Sequence, residues 1–200
     1  MNSAAHSIAQ YIHSVRRFDL SSSPALGSEH IGAFIAEAIM QPGESYKIAI
    51  RPLIERLIRD YPEGKTSGHF ARLLEEISPK YFLNWKENDK PRRVLAVAKC
   101  LHALSIETAD ELRFIIDDPD FIKAMKDIRG IGNRQIDYLK LLLEIPSETA
   151  QEYMNVILKE SGVSTVPEEE ISVIWDETAR LLQKKTSDLL LCVWRYLDNQ

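Results

Sequence analysis

The chain has few of the residues that build metal or redox centres. Two cysteines, Cys100 and Cys192, stand among 200 residues. Each sits inside an apolar stretch of helical period without metal-ligand spacing, so both read as buried reduced thiols. The five histidines are scattered, with no paired His-Glu or His-Cys motif. No side-chain metal site and no cofactor are therefore expected. Alternation of apolar and polar residues between turn residues, the mark of a half-buried strand, is nearly absent. No apolar run reaches membrane-spanning length. The start, Met1 to Gln10, lacks the basic-then-apolar order of a signal peptide. The expectation is a cytoplasmic chain with no membrane partner.

What is present is helix signal from end to end, on a chain with 44% apolar residues that can bury a sizeable core. The predicted fold class is all-α. Capping chemistry marks the starts: Ser28 before "EHIGAFIAEAIM", Ser78-Pro79, Pro91 before "RRVLAVAKCLHAL", Thr108 with Glu111, and Asp118-Pro119, each supplying an acceptor or tolerating a missing donor. The segment Glu168 to Lys185 puts Ile171, Ile174, Trp175, Thr178, Leu181 and Leu182 on one stripe, with glutamates in its first turn to complement the helix dipole. The last helix, "LLLCVWRYL", is apolar almost all round and is expected to be central. The turns at residues 21–28 and 41–45 are too short for interdomain linkers. The organisation read from these signals has residues 1–44 joining a second lobe, residues 45–145 forming a helical bundle, and residues 146–200 completing the second lobe.

The formal charge of −5 is unevenly placed. Residues 1–145 carry twenty basic and twenty acidic side chains, and residues 146–200 carry five basic and ten acidic ones. The acidic C-terminal part is a candidate surface for a protein partner. Lys80, Lys86, Lys90, Arg92, Arg93 and Lys99 form a locally basic stretch against Glu87 and Asp89. It reads either as a solvated face or as part of a phosphate-binding surface.

The most informative stretch is "KDIRGIGNRQIDYLKLLLEIP", in which Gly130 and Gly132 flank Ile131 between two helical segments, Pro119 to Asp127 and Asn133 to Glu144. Glycine serves where the backbone takes positive φ or must approach another group closely. The turn is expected to anchor Ile131 in the core and to present amides at the start of the second helix. Amides in that position suit a phosphate. Ile136, Tyr138, Leu139 and Leu143 are expected to face inward.

This stretch resembles the helix-hairpin-helix motif of the endonuclease III-like DNA glycosylase superfamily, strongly over residues 128–146 and faintly over residues 28–197. The resemblance implies a two-lobed helical DNA glycosylase-like fold. It also implies a site in which Arg129, Gly130, Ile131, Gly132, Asn133 and Arg134 hold the backbone of double-stranded DNA, supported by the Lys90 to Arg93 cluster. A monovalent cation at the hairpin backbone and association with the nucleoid belong to the same expectation, as does a damaged nucleotide flipped out of the duplex.

Two departures bear on chemistry. The family holds an aspartate after the proline turn to stabilise positive charge developing on the sugar. Aligned on Pro146, that position is Gln151, which is neutral; aligned on the glycines, it is Glu152. A bland role for Glu152 is a capping box with Thr149. Strand-cleaving members carry a lysine nucleophile where this chain has Arg134, whose guanidinium stays protonated. Lyase activity is therefore not expected, and the four C-terminal cysteines of the iron-sulfur members are missing. Three readings follow: a DNA-binding protein that lacks the usual catalytic aspartate and lysine, an active monofunctional glycosylase using Glu152, and a non-catalytic protein-interaction module on the same fold.

Overall fold

A computed structural model describes residues 3–21, 29–163 and 166–198. The loop at residues 22–28, with Ser28 as an expected cap, lies outside the described residues. The protein is all-α, and no strand forms among the described residues. The helices are α1 (Ser3–Ser14), α2 (Ile31–Met40), α3 (Arg51–Asp60), α4 (Ser67–Ile77), α5 (Pro79–Phe82), α6 (Asp89–Ala103), α7 (Ala109–Ile115), α8 (Pro119–Lys126), α9 (Asn133–Leu142), α10 (Glu148–Glu160), α11 (Glu168–Leu181) and α12 (Thr186–Leu197). None of these helices is long and apolar enough to cross a membrane.

The chain divides into two compact units, Ala25–Ile145 and the pair of segments Met1–Pro24 and Pro146–Gln200. The first unit is built around α2, all of whose residues from Ile31 to Met40 are buried. It packs on α3, α6 and α9. The expectation that residues 1–44 join the C-terminal helices holds for residues 1–24 and fails for residues 25–44, which carry α2 into the first unit. A helix with no solvent face needs neighbours on every side, and α3, α6 and α9 supply them. Its one acidic residue, Glu37, is buried and accepts a hydrogen bond from the Tyr138 hydroxyl at 3.1 Å.

The cap of α2 is His30, whose Nδ1 accepts from the Ala33 amide at 3.0 Å while Nε2 lies 2.8 Å from the Tyr61 carbonyl oxygen. A ring nitrogen that accepts leaves the proton on the other, so Nε2 donates to Tyr61. Before α3, residues Tyr46–Ile50 wind as a π-turn in which the Arg51 amide reaches the Tyr46 carbonyl. Pro52 follows at the helix start and cannot donate, so the wider turn takes up the broken register.

Local capping signals hold along the rest of this unit. Thr108 and Glu111 form the expected capping box at α7, and Asp118 accepts from the Asp120 and Phe121 amides at the start of α8. Helix α6 begins at Asp89, so Pro91 lies inside its first turn instead of opening it. A proline there lacks only a donor that would have had no partner in the helix.

The second unit packs α1, α10, α11 and α12 around Ile8, Ile12, Ile157, Ile174, Trp175, Leu189 and Cys192. The apolar stripe on α11 forms as expected through Thr178, whose hydroxyl donates to the Ile174 carbonyl at 2.8 Å and so tolerates complete burial. Leu181 departs from that stripe and is 40% exposed. Ala179 takes the buried place on the neighbouring helical position. Cys192 is buried as expected, but Cys100 on α6 is only partly so.

Candidate nucleic-acid interface

Helices α8 and α9 pack on each other across the turn from Asp127 to Gly132, and α8 also packs on α6. Ile131 is 6% exposed, and burying a side chain of this size contributes about 1.5–3 kcal/mol. That holds the turn in place while Arg129, Gly130, Asn133 and Arg134 remain exposed. Ile136, Tyr138, Leu139 and Leu143 face the interior as their spacing predicts.

The two glycines do different work. Gly130 has φ of +89°, which only glycine adopts without strain. A Cβ there would also stand 2.5 Å from Nε of Arg93 and 2.6 Å from its Cζ. Gly132 has φ of −133° and ψ of −171°, an extended conformation open to any residue. A Cβ on Gly132 would meet nothing nearer than Gln135 Oε1 at 3.7 Å. Neither backbone nor space requires glycine at position 132, and the chain leaves that surface bare.

As the residue before α9, Gly132 has no side chain with which to cap the helix. Its own amide donates to Gln135 Oε1 at 3.0 Å. The Ile131 amide closes back on the Ile128 carbonyl at 3.0 Å. The Gly130 amide makes no hydrogen bond among the described residues.

Beside the turn lies a cavity of about 340 Å³ lined by Asp89, Arg92, Arg93, Ala96, Ile128 and Arg129. Helix α6 supplies four of these residues and the hairpin supplies two. The basic stretch read from the sequence is thus split by the structure. Lys90 turns inward, its Nζ donating to the carbonyls of Met40 at 3.1 Å and Pro42 at 2.7 Å and to Glu44 Oε1 at 2.8 Å. Lys99 pairs with Glu75. Arg92 and Arg93 stay with the hairpin. The approach of Arg93 to Gly130 was missed from the sequence, where only the run "KPRR" hinted at it.

The nearby Cys100 is not an activated nucleophile. The Cys100 thiol on α6 is pushed up from its ordinary pKa, first by burial and then by the Asp127 carboxylate, so it stays protonated at neutral pH.

Glu152 and Gln151, the alternative catalytic positions, belong to the other unit. The expected capping box of Thr149 with Glu152 does not form. Helix α10 starts earlier, with Ser147 as its cap accepting from the Ala150 amide at 3.2 Å, and this puts Thr149 inside the first turn. Glu152 is exposed. It lines a cavity of about 520 Å³ together with Gln151, Glu148, Asn155, Val166, Glu168 and Ile171. Among the described residues no cluster of three or more His, Cys, Asp or Glu is arranged to hold a metal ion.

Compared with protein-family models, curated proteins and solved structures, the chain matches none.

Proposed function

We propose that the protein binds double-stranded DNA through the Gly130–Gly132 turn, on a glycosylase-like helical scaffold without the usual base-excision chemistry. The observation that carries this reading is Gly132. Its conformation and surroundings accept a side chain, yet the chain keeps it bare at the start of α9 beside exposed arginines. Close approach of a phosphate to a helix start explains a bare position that the fold does not require.

The test uses the same feature. Aspartate is a favoured cap at this position, so Gly132→Asp should fold as well as the parent chain while placing a negative charge where phosphate would sit. Anisotropy of a labelled duplex at several salt concentrations should show binding by the parent and none by the variant. Equal binding by both proteins would remove the reading.

A second reading has its own support. The Glu152 carboxylate is not consumed by the capping box expected for it, and it lines a cavity together with Gln151. An active monofunctional glycosylase would use it to stabilise charge developing on the sugar.

A further inference from the structure

We infer that the backbone phosphate is gripped by the guanidinium groups of Arg92, Arg93 and Arg129 in the cavity beside the hairpin, and not by the hairpin amides alone. The inference rests on the DNA-binding reading and assigns its contacts. Five other cations of this unit are matched, Arg51 with Glu55, Arg59 with Asp60, Lys90 with Glu44, Lys99 with Glu75, and Lys140 with Asp117. The remaining ones without an ion pair among the described residues, such as Lys47, Lys80 and Lys123, do not line this cavity. Arg92, Arg93 and Arg129 form no ion pair among the described residues. Three guanidiniums sharing a cavity with the single carboxylate of Asp89 leave an excess of positive charge that a phosphodiester would relieve. Arginine also offers the planar fork that phosphate oxygens accept in pairs. Arg92 turns Nε and Nη2 to the Asn88 side-chain oxygen at 3.0 and 3.1 Å, so it adds charge to the cavity while Arg93 and Arg129 supply the forks.

The geometry of the glycines supports the same assignment. Gly130 is the residue against which Arg93 lies, and a side chain at that position would displace the guanidinium. The Gly132 amide is already taken by Gln135 Oε1, so part of the donor set that a bare hairpin would offer is occupied by the chain itself. Ala96 and Ile128 add apolar surface to the cavity, suited to the carbons of a sugar next to the phosphate. The space of about 340 Å³ equals the share of roughly ten liquid waters, enough for a phosphodiester with part of its sugar.

The experiment measures duplex affinity against salt for the full chain and for Arg93→Gln, Arg129→Gln, the triple Arg92→Gln/Arg93→Gln/Arg129→Gln, and Gln135→Ala. Thermal unfolding checks that each variant folds. Each phosphate contact removed should flatten the slope of log affinity against log salt by about 0.9, so the singles should show this and the triple more. Gln135→Ala should bind within about twofold of the parent. A folded triple variant that keeps the parent slope, while Gly132→Asp abolishes binding, overturns the arginine assignment and leaves DNA binding standing. Inorganic phosphate, titrated while arginine Nε–H resonances are followed by NMR, gives the other arm. Shifts at Arg92, Arg93 and Arg129 in a parent chain that binds no duplex would mark the cavity as an anion site for another ligand. That result overturns both the assignment and the DNA-binding reading.

Discussion

The ring of Phe70 lies directly over Gly32, so close that a Cβ on Gly32 would stand 2.4 Å from one ring carbon and 2.9 Å from the Gly64 carbonyl oxygen. Helix α4 reaches the central helix α2 through this contact. The ring could rotate to admit a methyl group, but the Gly64 backbone has no such freedom. Gly32→Ala gains helix propensity of about 1 kcal/mol, and overpacking costs about 1–3 kcal/mol. We expect net destabilisation, read as a lower urea midpoint with an unchanged m-value. A midpoint equal to or above the parent's would show that the ring has room to move.

Glu107 ties the start of α4 to the turn before α7. Burial by itself raises its carboxyl pKa, but the Gly68 amide, His102 and the Ser67 hydroxyl bond to the ionised form and together hold it below the usual glutamate value. A depressed folded-state pKa stabilises the fold above the unfolded value of about 4.3, and this contribution is lost as pH falls through the folded one. Glu107→Gln should therefore lower the urea midpoint at pH 7. The gap between variant and parent should narrow steadily below about pH 4. A gap that stays constant from pH 7 to pH 3 would place the effect in packing and not in charge.

What the sequence made legible was local. The box at Thr108 and Glu111, the cap at Asp118 and the inward residues of α9 depend on neighbours within one or two turns, and they form as their spacing requires. The failures came where two local solutions competed or where a distant residue decided. Thr149 with Glu152 matched a capping pattern, but Ser147 follows the Pro146 turn and captures the helix start first. "LLLCVWRYL" is buried in its own unit, as its apolar composition requires, but the burial of Glu37 in "IGAFIAEAIM" depends on the distant Tyr138 hydroxyl. The arginines beside the hairpin were legible as charge, but the approach of Arg93 to Gly130 required the packing of α6 on α8.

Several helices end on a residue with positive φ that is not glycine. Ser105 at +59° and Gln183 at +56° each follow a helix. The next amide in each case closes back across the last turn, Ile106 to the Leu101 carbonyl and Lys184 to the Ala179 carbonyl, both at 2.9 Å. Gly162 fills the equivalent place after α10. A side chain in the left-handed region costs about 1–2 kcal/mol, and glycine returns part of that gain as entropy of the unfolded chain. Ser105→Gly and Gln183→Gly should each stabilise by about 0.5–1 kcal/mol, raising Tm by about 1–4 °C. The two sites share no partner, so the double variant should show the sum. A loss of stability in either variant would mean that the replaced side chain makes a contact outweighing its backbone strain.

The remaining prediction concerns chemistry at Arg134 and Glu152. Schiff-base formation needs an amine lone pair on the attacking side chain, and a guanidinium at neutral pH has none to give. Borohydride added to the protein with an abasic duplex should therefore trap no covalent complex. Base release is a separate question, since it needs only a carboxylate held near the sugar. On the DNA-binding reading, the parent chain releases no base from duplexes carrying uracil or alkylated purines, even at single-turnover enzyme excess. Release by the parent that vanishes in Glu152→Gln, with duplex affinity unchanged, would decide for the glycosylase reading. Release that survives the substitution would exclude Glu152 and direct attention to Glu148 and Glu168, the other carboxylates lining the same cavity.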